Sequence, residues 1–269
     1  MDEKTIYKTW LNEWLRVYKR PFVSSKTYEN LRIIYRKHIS EAVKCTALGK
    51  LTALDIQREL YSVSASRTRV DVYDFFNGSL KVAFTLGFIP RNPCDLVRKP
   101  KHIRKVGEAL SAEELGTFLE KIRKHKLNAF FRFCLLTGCR RSEALTVTWA
   151  DIDFKKSVIH IRGTKTVCSD RSIPLFPECS ELLCGLKRSD ERVFPHRGSY
   201  VTHEFKKICP AHKLHDLRHT FATRCLECGI SMKVVQQWLG HSRMETTASV
   251  YTHVPDAFSR SESAKFKLM

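Results

Sequence analysis

The sequence predicts a mainly α protein: a first domain that is a helical bundle, then a larger, mostly helical domain with one small antiparallel sheet. Three observations carry this expectation. Apolar residues recur at helical spacing through most of the chain, from Trp10 to the region of Tyr251. Only two short stretches are β-rich, Val158–Ile161 and Arg171–Leu175, and a single turn separates them. Between the two helical regions runs Arg98-Lys99-Pro100-Lys101-His102-Ile103-Arg104-Lys105, which is strongly basic and without period. The expected division is therefore residues 1–97, a linker over 98–109, and a second domain over 110–269.

The elements follow in order. Trp10, Leu11, Trp14, Leu15 and Tyr18 mark a first helix that Pro21 and the serines after it break. Ser24 or Ser25 caps a second, whose apolar face is Tyr28, Leu31, Ile34, Tyr35 and Ile39. Thr52 opens a short third helix with Ile56 and Leu60. A fourth starts near Ser66, turns Val70, Tyr73, Phe76, Leu80 and Phe84 inward, and stops at Gly87; Pro90 and Pro93 prevent its resumption. Beyond the linker, Ser111-Ala112-Glu113-Glu114 reads as a capping box, opening a helix that carries Leu115, Phe118, Leu119 and Ile122. Another helix covers Ala129 to Thr137 and ends at Gly138. The two strands follow, with Lys165 on their turn, and after Pro177 the chain returns to helices.

Composition narrows the function. Apolar residues make up 43% of the 269, enough for a real core, which excludes a disordered tail. The net charge of +19 favours a polyanionic partner, nucleic acid first and an anionic membrane second. Residues 1–106 carry +11 and the remainder +8, so both halves could face the same polyanion. No apolar run spans a bilayer and the first ten residues are charged, so a cytoplasmic protein without a membrane partner is expected. The ten cysteines form no framework; Cys225 and Cys228 are the one close pair. They read as reduced packing residues, with a zinc site as the alternative.

A constellation of polar residues carries the chemistry. Arg140 and Glu143 stand three apart at a helix start and so share a face. Alone, they read first as an exposed ion pair worth little. His215 and Arg218, again three apart, present an imidazole and a guanidinium on one turn. Two arginines can fork onto phosphate oxygens and neutralise the charge that builds on a phosphodiester under attack. His241 follows Leu239-Gly240, where a helix ends; it reads either as a cap there or, ten residues before Tyr251, as a partner in the same site. Tyr251 lies ten residues on, between valines, and could be a packing residue; arginines and an imidazole would instead stabilise its phenolate as a nucleophile. Lys165 is either a solvated turn lysine or an ammonium able to protonate a leaving 5′-oxygen. Arg98, Lys99, Lys101, Arg104 and Lys105 form either a solvated spacer or a contact to phosphate.

In this order the motifs closely resemble the tyrosine recombinases, or phage integrases. The matching stretches are Thr137-Gly138-Cys139-Arg140-Arg141-Ser142-Glu143-Ala144-Leu145, Gly163-Thr164-Lys165-Thr166, His215-Asp216-Leu217-Arg218-His219-Thr220-Phe221-Ala222-Thr223, Leu239-Gly240-His241-Ser242 and Tyr251-Thr252-His253. They cover the second domain from about Leu110 to Val254; the first resembles the family's core-DNA-binding bundle in style, ending in Phe88-Ile89-Pro90-Arg91-Asn92-Pro93. The resemblance implies a site-specific DNA recombinase, in which four protomers join two sites made of inverted half-sites on double-stranded DNA. Tyr251 would form a 3′-phosphotyrosine link, Arg140 and Arg218 would clamp the phosphate, and His215 and His241 would activate the phenol and hold the phosphate. Lys165 would be the general acid, with Glu143 and His219 supporting by hydrogen bonds. No cofactor, metal or ATP is implied, because cationic side chains supply the charge and the covalent intermediate keeps the bond energy.

Where the chain departs from its relatives is also informative. Arg141 stands where many carry an apolar residue. The chain starts directly at the helical bundle, so an extra arm-binding module at the N-terminus is not expected. After Tyr251, Phe258, Phe266 and Leu268 could dock on a neighbouring protomer or be a frayed end. A nucleoid-associated location, and accessory directionality or DNA-bending proteins, fit this reading. Two others compete: a type IB topoisomerase, which rejoins the same strand, and a non-catalytic DNA-binding regulator. Every expected catalytic position is filled, which argues against the last.

Overall fold

Ser24, Thr52 and Ser111 each start a helix by the mechanism their positions predict. Ser24 accepts from the Thr27 amide, while Thr52 with Asp55 and Ser111 with Glu114 form reciprocal capping boxes. The computed structural model describes residues 1–103, 107–163 and 170–240. Arg104, Lys105, Lys165, His241 and Tyr251, with Phe258, Phe266 and Leu268, lie outside the described residues. The chain folds as two compact units that divide after Arg104.

In the first unit, α1 (Tyr7–Glu13) runs straight into a π-helical turn over Trp14–Lys19, where the Arg20 amide reaches back five residues to the Leu15 carbonyl at 2.9 Å. Then come α2 (Ser25–Lys37), α3 (Glu41–Lys44), α4 (Ala53–Ser62) and α5 (Ser66–Thr85). Their core is aromatic. Trp14 meets Phe75 edge-on at 5.1 Å, and the buried Tyr7 hydroxyl and Trp10 indole both bond to Ser79 on α5. Two expectations need correction. The α2 face of Tyr28, Leu31, Ile34 and Tyr35 is only half-buried, and Ile39, beyond the helix, is the member of that set that is buried. Phe84 is exposed, because Ala83 continues the buried stripe after Leu80.

The second unit contains α6 (Ala112–Ile122), α7 (Asn128–Thr137) and a single turn of helix, α8 (Arg141–Ala144). The sheet follows: β1 (Ile152–Asp153), β2 (Val158–Ile161) and β3 (Arg171–Pro174), antiparallel in that order. The sequence reading anticipates β2 and β3; β1, only two residues long, leaves no periodic trace. Helices α9 (Pro177–Cys184), α10 (Gly198–Ile208), α11 (Asp216–Glu227) and α12 (Met232–Leu239) complete the described part. Phe118, Phe130, Phe131 and Phe205 pack ring against ring at the centre, Phe194 links Phe130 to Phe133, and α11 lies along α7. Leu119, on the outer side of α6, is largely exposed, whereas Phe118 and Ile122 are buried. The architecture is thus the mainly α one expected, with one small antiparallel sheet. Among the described residues no helix is long and apolar enough to cross a membrane.

Candidate active site

The site is built where α7 ends. Gly138 closes that helix in the left-handed region, φ 61°, and its amide bonds to the Cys134 carbonyl at 3.0 Å. A side chain there would meet Phe221 of α11 at 2.4 Å and Leu239 of α12 at 2.8 Å, so glycine alone lets the three helices converge. Arg140 then caps α8. Its amide donates to Glu143 Oε2 at 2.9 Å and its guanidinium to Oε1 at 2.7 Å. Glu143 is only 2% exposed, which overturns the reading of this pair as a surface ion pair. A second guanidinium, from Arg171 of β3, donates to Glu143 Oε2 at 3.0 Å. Burial opposes ionisation of Glu143, but Arg171 and then Arg140 overcome it and hold the carboxyl at about 2.

Arg218 rises from α11 into the same cluster and is 2% exposed. It donates to the Gly138 carbonyl at 2.8 Å and to the Leu239 carbonyl, at the end of α12, at 2.6 Å. Burial first, then the charges of Arg140 and Arg171, bring its pKa down to about 9. His215 caps α11 on the exposed side and stands edge-on to His219, ring centres 5.2 Å apart. Partial loss of hydration, then His219, Arg218 and Arg140, lower its pKa to about 4, so the imidazole is neutral and able to accept a proton at pH 7. Gly107 lies against this wall: a Cβ there would sit 2.6 Å from Asp216 Oδ1 and 2.7 Å from His219 Nε2.

The structure therefore gathers Arg140, Glu143, His215, Arg218 and His219 from α8 and α11, although 72 or more residues separate the two groups in sequence. Two guanidiniums bond to one carboxylate and a third, Arg218, lies within reach of its charge, which gathers positive charge beside two imidazoles. Such a site suits an anion whose charge grows during reaction. Lys165, His241 and Tyr251 fall outside the described residues, and the α12 end that precedes His241 is held by the cluster itself. Of the basic run, Arg98, Lys99 and Lys101 are exposed, but Lys99 bonds to Asp74 at 2.7 Å and is already paired. No group of three or more His, Cys, Asp or Glu among the described residues is arranged to hold a metal ion; Cys225 is buried, its thiol pushed up to about 12 chiefly by burial, and Cys228 is exposed.

Sequence reasoning missed Arg171 and Gly107. Arg171 did leave a signal. It alternates with Ile173 on β3 and pairs with Ile161, so it is a charge in an inward-facing register. Gly107 left none, since its need for a missing side chain arises from α11, more than a hundred residues on.

The chain is similar to known proteins. The model of the phage integrase family matches residues 108–257, and that of the phage integrase N-terminal SAM-like domain matches residues 6–62. A tyrosine recombinase XerC-like protein of Caldanaerobacter subterraneus subsp. tengcongensis is 28% identical over 307 residues, covering 91% of this chain and 78% of its own. Tyrosine recombinase XerA of Pyrococcus furiosus is 28% identical over 278 residues, covering 94% and 92%. Among solved structures, a lambda integrase dimer bound to a COC′ core site superposes with a TM-score of 0.77 at 19% identity, over 93% of this chain and 77% of that one. The Tn1549 transposon integrase with circular intermediate DNA gives 0.73 at 20% identity, over 96% and 99%. At those identities the two structures establish a common fold.

Proposed function

The chain belongs to the phage integrase family of tyrosine recombinases, and from that premise we propose that it cuts and rejoins DNA at specific sites through a 3′-phosphotyrosine intermediate. The observation that carries the chemistry is the gathering of cations: Arg140 and Arg171 both bond to the Glu143 carboxylate, and the buried Arg218 lies close enough to feel the charges of all three. In this scheme a DNA phosphate enters beside Arg140 and Arg218. The Tyr251 oxygen attacks phosphorus, its proton passing to His215, which is neutral at pH 7 and whose basicity the bound phosphate would raise. A P–O bond to the tyrosine forms and the bond to the 5′-oxygen breaks, with Lys165 protonating that oxygen. His241 holds the phosphate, while Glu143 and His219 orient their neighbours. Reversal with a different 5′-hydroxyl joins the new strand. Because the phosphotyrosine conserves the bond, neither ATP nor a metal ion is required, and the reaction should survive a chelator.

The partner in this reading is double-stranded DNA carrying paired inverted half-sites, engaged by four copies of the chain. A lambda integrase tetramer bound to a Holliday junction shares the fold, with a TM-score of 0.75. Arg98 and Lys101 of the basic run are proposed to touch phosphate, as are Arg104 and Lys105. The protein would act on DNA in the cytoplasm, with accessory directionality or bending proteins as possible helpers.

The test is a denaturing gel with a nicked duplex recovered by selecting bound DNA from a random pool. Wild type should give a covalent protein–DNA band, and Tyr251→Phe should still shift the duplex on a native gel but give no such band. An adduct that persists in Tyr251→Phe assigns the nucleophile elsewhere.

A further inference from the structure

One guanidinium in this molecule touches two elements that bracket the catalytic positions. Arg171 lies on β3, with its side chain 5% exposed. One terminal nitrogen donates to Glu143 Oε2 at 3.0 Å, and its Nε donates to the carbonyl of Trp238. Trp238 and Leu239 end α12, where carbonyls have no partner within the helix. Arg218 takes the second of these two carbonyls at 2.6 Å. Two arginines thus hold consecutive peptide groups, immediately before Gly240, which leaves the helix with φ 65°, and before His241. The other end of the same bridge is the carboxylate that bonds the Arg140 amide and guanidinium.

We propose that Arg171 is a positioning residue for strand cleavage: by joining Glu143 to the Trp238 carbonyl it sets the Arg140 phosphate clamp in register with the segment that carries His241 and Tyr251. This rests on the phosphotyrosine reading above. Arg171 directs its Nε and a terminal nitrogen to these two partners, and it acts through them. The geometry demands arginine. A guanidinium fork reaches two acceptors in fixed directions, whereas a lysine ammonium is a point charge that satisfies one well and leaves the other.

The experiment uses the full chain, the selected nicked duplex and Arg171→Lys. Adduct formation in single turnover should slow about 100-fold, the size expected when reacting groups are misplaced by ~1 Å. The protein concentration for half-maximal native gel shift should stay within about twofold, because a buried side chain releases no counterions from DNA. A second probe carries a methylphosphonate at the cleaved linkage, which removes the charge the clamp neutralises. That probe should restore cleavage to Arg140→Ala but not to Arg171→Lys, since neutralising the phosphate does not correct an alignment. Should Arg171→Lys precipitate, Glu143→Gln cuts the same bridge from its acceptor end and should show the same separation of cleavage from binding.

An unchanged adduct rate overturns the proposal. So does a loss of binding and thermal stability in step with the rate, which would mark Arg171 as a fold residue only. Rescue of Arg171→Lys by methylphosphonate also overturns it, making Arg171 a charge neutraliser. A wild-type chain that forms no adduct on any probe refutes the phosphotyrosine reading itself, and the proposal falls with it.

Discussion

Arg218 donates to the carbonyl oxygen of Gly138 at 2.8 Å, joining the first turn of one helix to the end of another across 80 residues of sequence. The bond exists because the chain at Gly138 turns into the left-handed region, which aims that carbonyl at α11. A backbone turn that only glycine fits therefore fixes the guanidinium proposed to face the phosphate.

Gly138→Ala should consequently cost both stability and chemistry. The left-handed backbone alone costs an alanine about 1–3 kcal/mol, and here the new methyl would also press into Phe221 at 2.4 Å. Gly87 supplies the control, with φ 73° and nothing within 4 Å of a built Cβ. Urea unfolding should show Gly138→Ala losing clearly more than Gly87→Ala, and the adduct rate should fall only in the former. Equal losses would mean that the convergence of α7, α11 and α12 does not depend on this glycine.

Glu143 is bonded by two arginines, Arg140 and Arg171, and removing it takes the carboxylate from both guanidiniums. Glu143→Ala should cost about 3–5 kcal/mol, as breaking one side of a buried ion pair does. The exposed Glu13–Arg16 pair provides the contrast, because Glu13→Ala should cost no more than about 1 kcal/mol. The pH dependence has a definite sign. The Glu143 carboxyl is lowered from 4.5 to about 2 in the folded state, so its stabilisation is complete above about 4.5 and disappears as pH falls toward 2. Chemical denaturation at several pH values checks this; a Glu143→Gln protein with the same acid slope as wild type would refute it.

His215 behaves in the opposite sense to a salt-bridged histidine. Its folded pKa lies near 4, below the ordinary 6.5, so between those values the unfolded chain binds the extra proton. Stability from this group is whole above about 6.5 and is lost as pH drops toward 4. A phosphate bound beside Arg140 and Arg218 adds negative charge and must raise the His215 pKa. The imidazole C–H resonances, assigned by comparison with His215→Gln, should titrate near 4 in the free protein and shift upward with DNA. Free-protein titration near 6.5 would remove the cationic surroundings from the account.

How much of this was legible follows from what each feature depends on. Caps and helix ends are local, so Ser24, Thr52, Ser111 and Gly138 announce themselves. The motif around Arg140 and that around Arg218 are short enough to read, and their meeting follows from the family resemblance rather than from any periodicity. The burial of Glu143 is different: three apart on a helix says which face two residues share, not whether β3 will cover that face. The π-helical turn at Trp14–Lys19 keeps the apolar spacing of an α-helix and so hides in it. Phe84 was misplaced because i+4 and i+3 both continue a stripe, and the smaller Ala83 took the buried position.

Lys165 offers the sharpest separation of one role from another. It lies in the connection between β2 and β3, outside the described residues, while the strand that follows carries Arg171 to the clamp. If Lys165 gives its proton to the departing 5′-oxygen, Lys165→Ala should lose cleavage by about 100- to 10,000-fold, the range of a general acid. A duplex whose bridging 5′-oxygen is replaced by sulfur needs no such proton, because a thiolate leaves unassisted. On that duplex Lys165→Ala should cleave nearly as fast as wild type, whereas Arg140→Ala, which fails for want of charge on the phosphate oxygens, should stay slow. Were sulfur to rescue neither variant, Lys165 would be a binding residue and the acid would have to be sought among the histidines; were it to rescue both, the leaving group would be masking the clamp, and the division of labour between Arg140 and Lys165 would not hold.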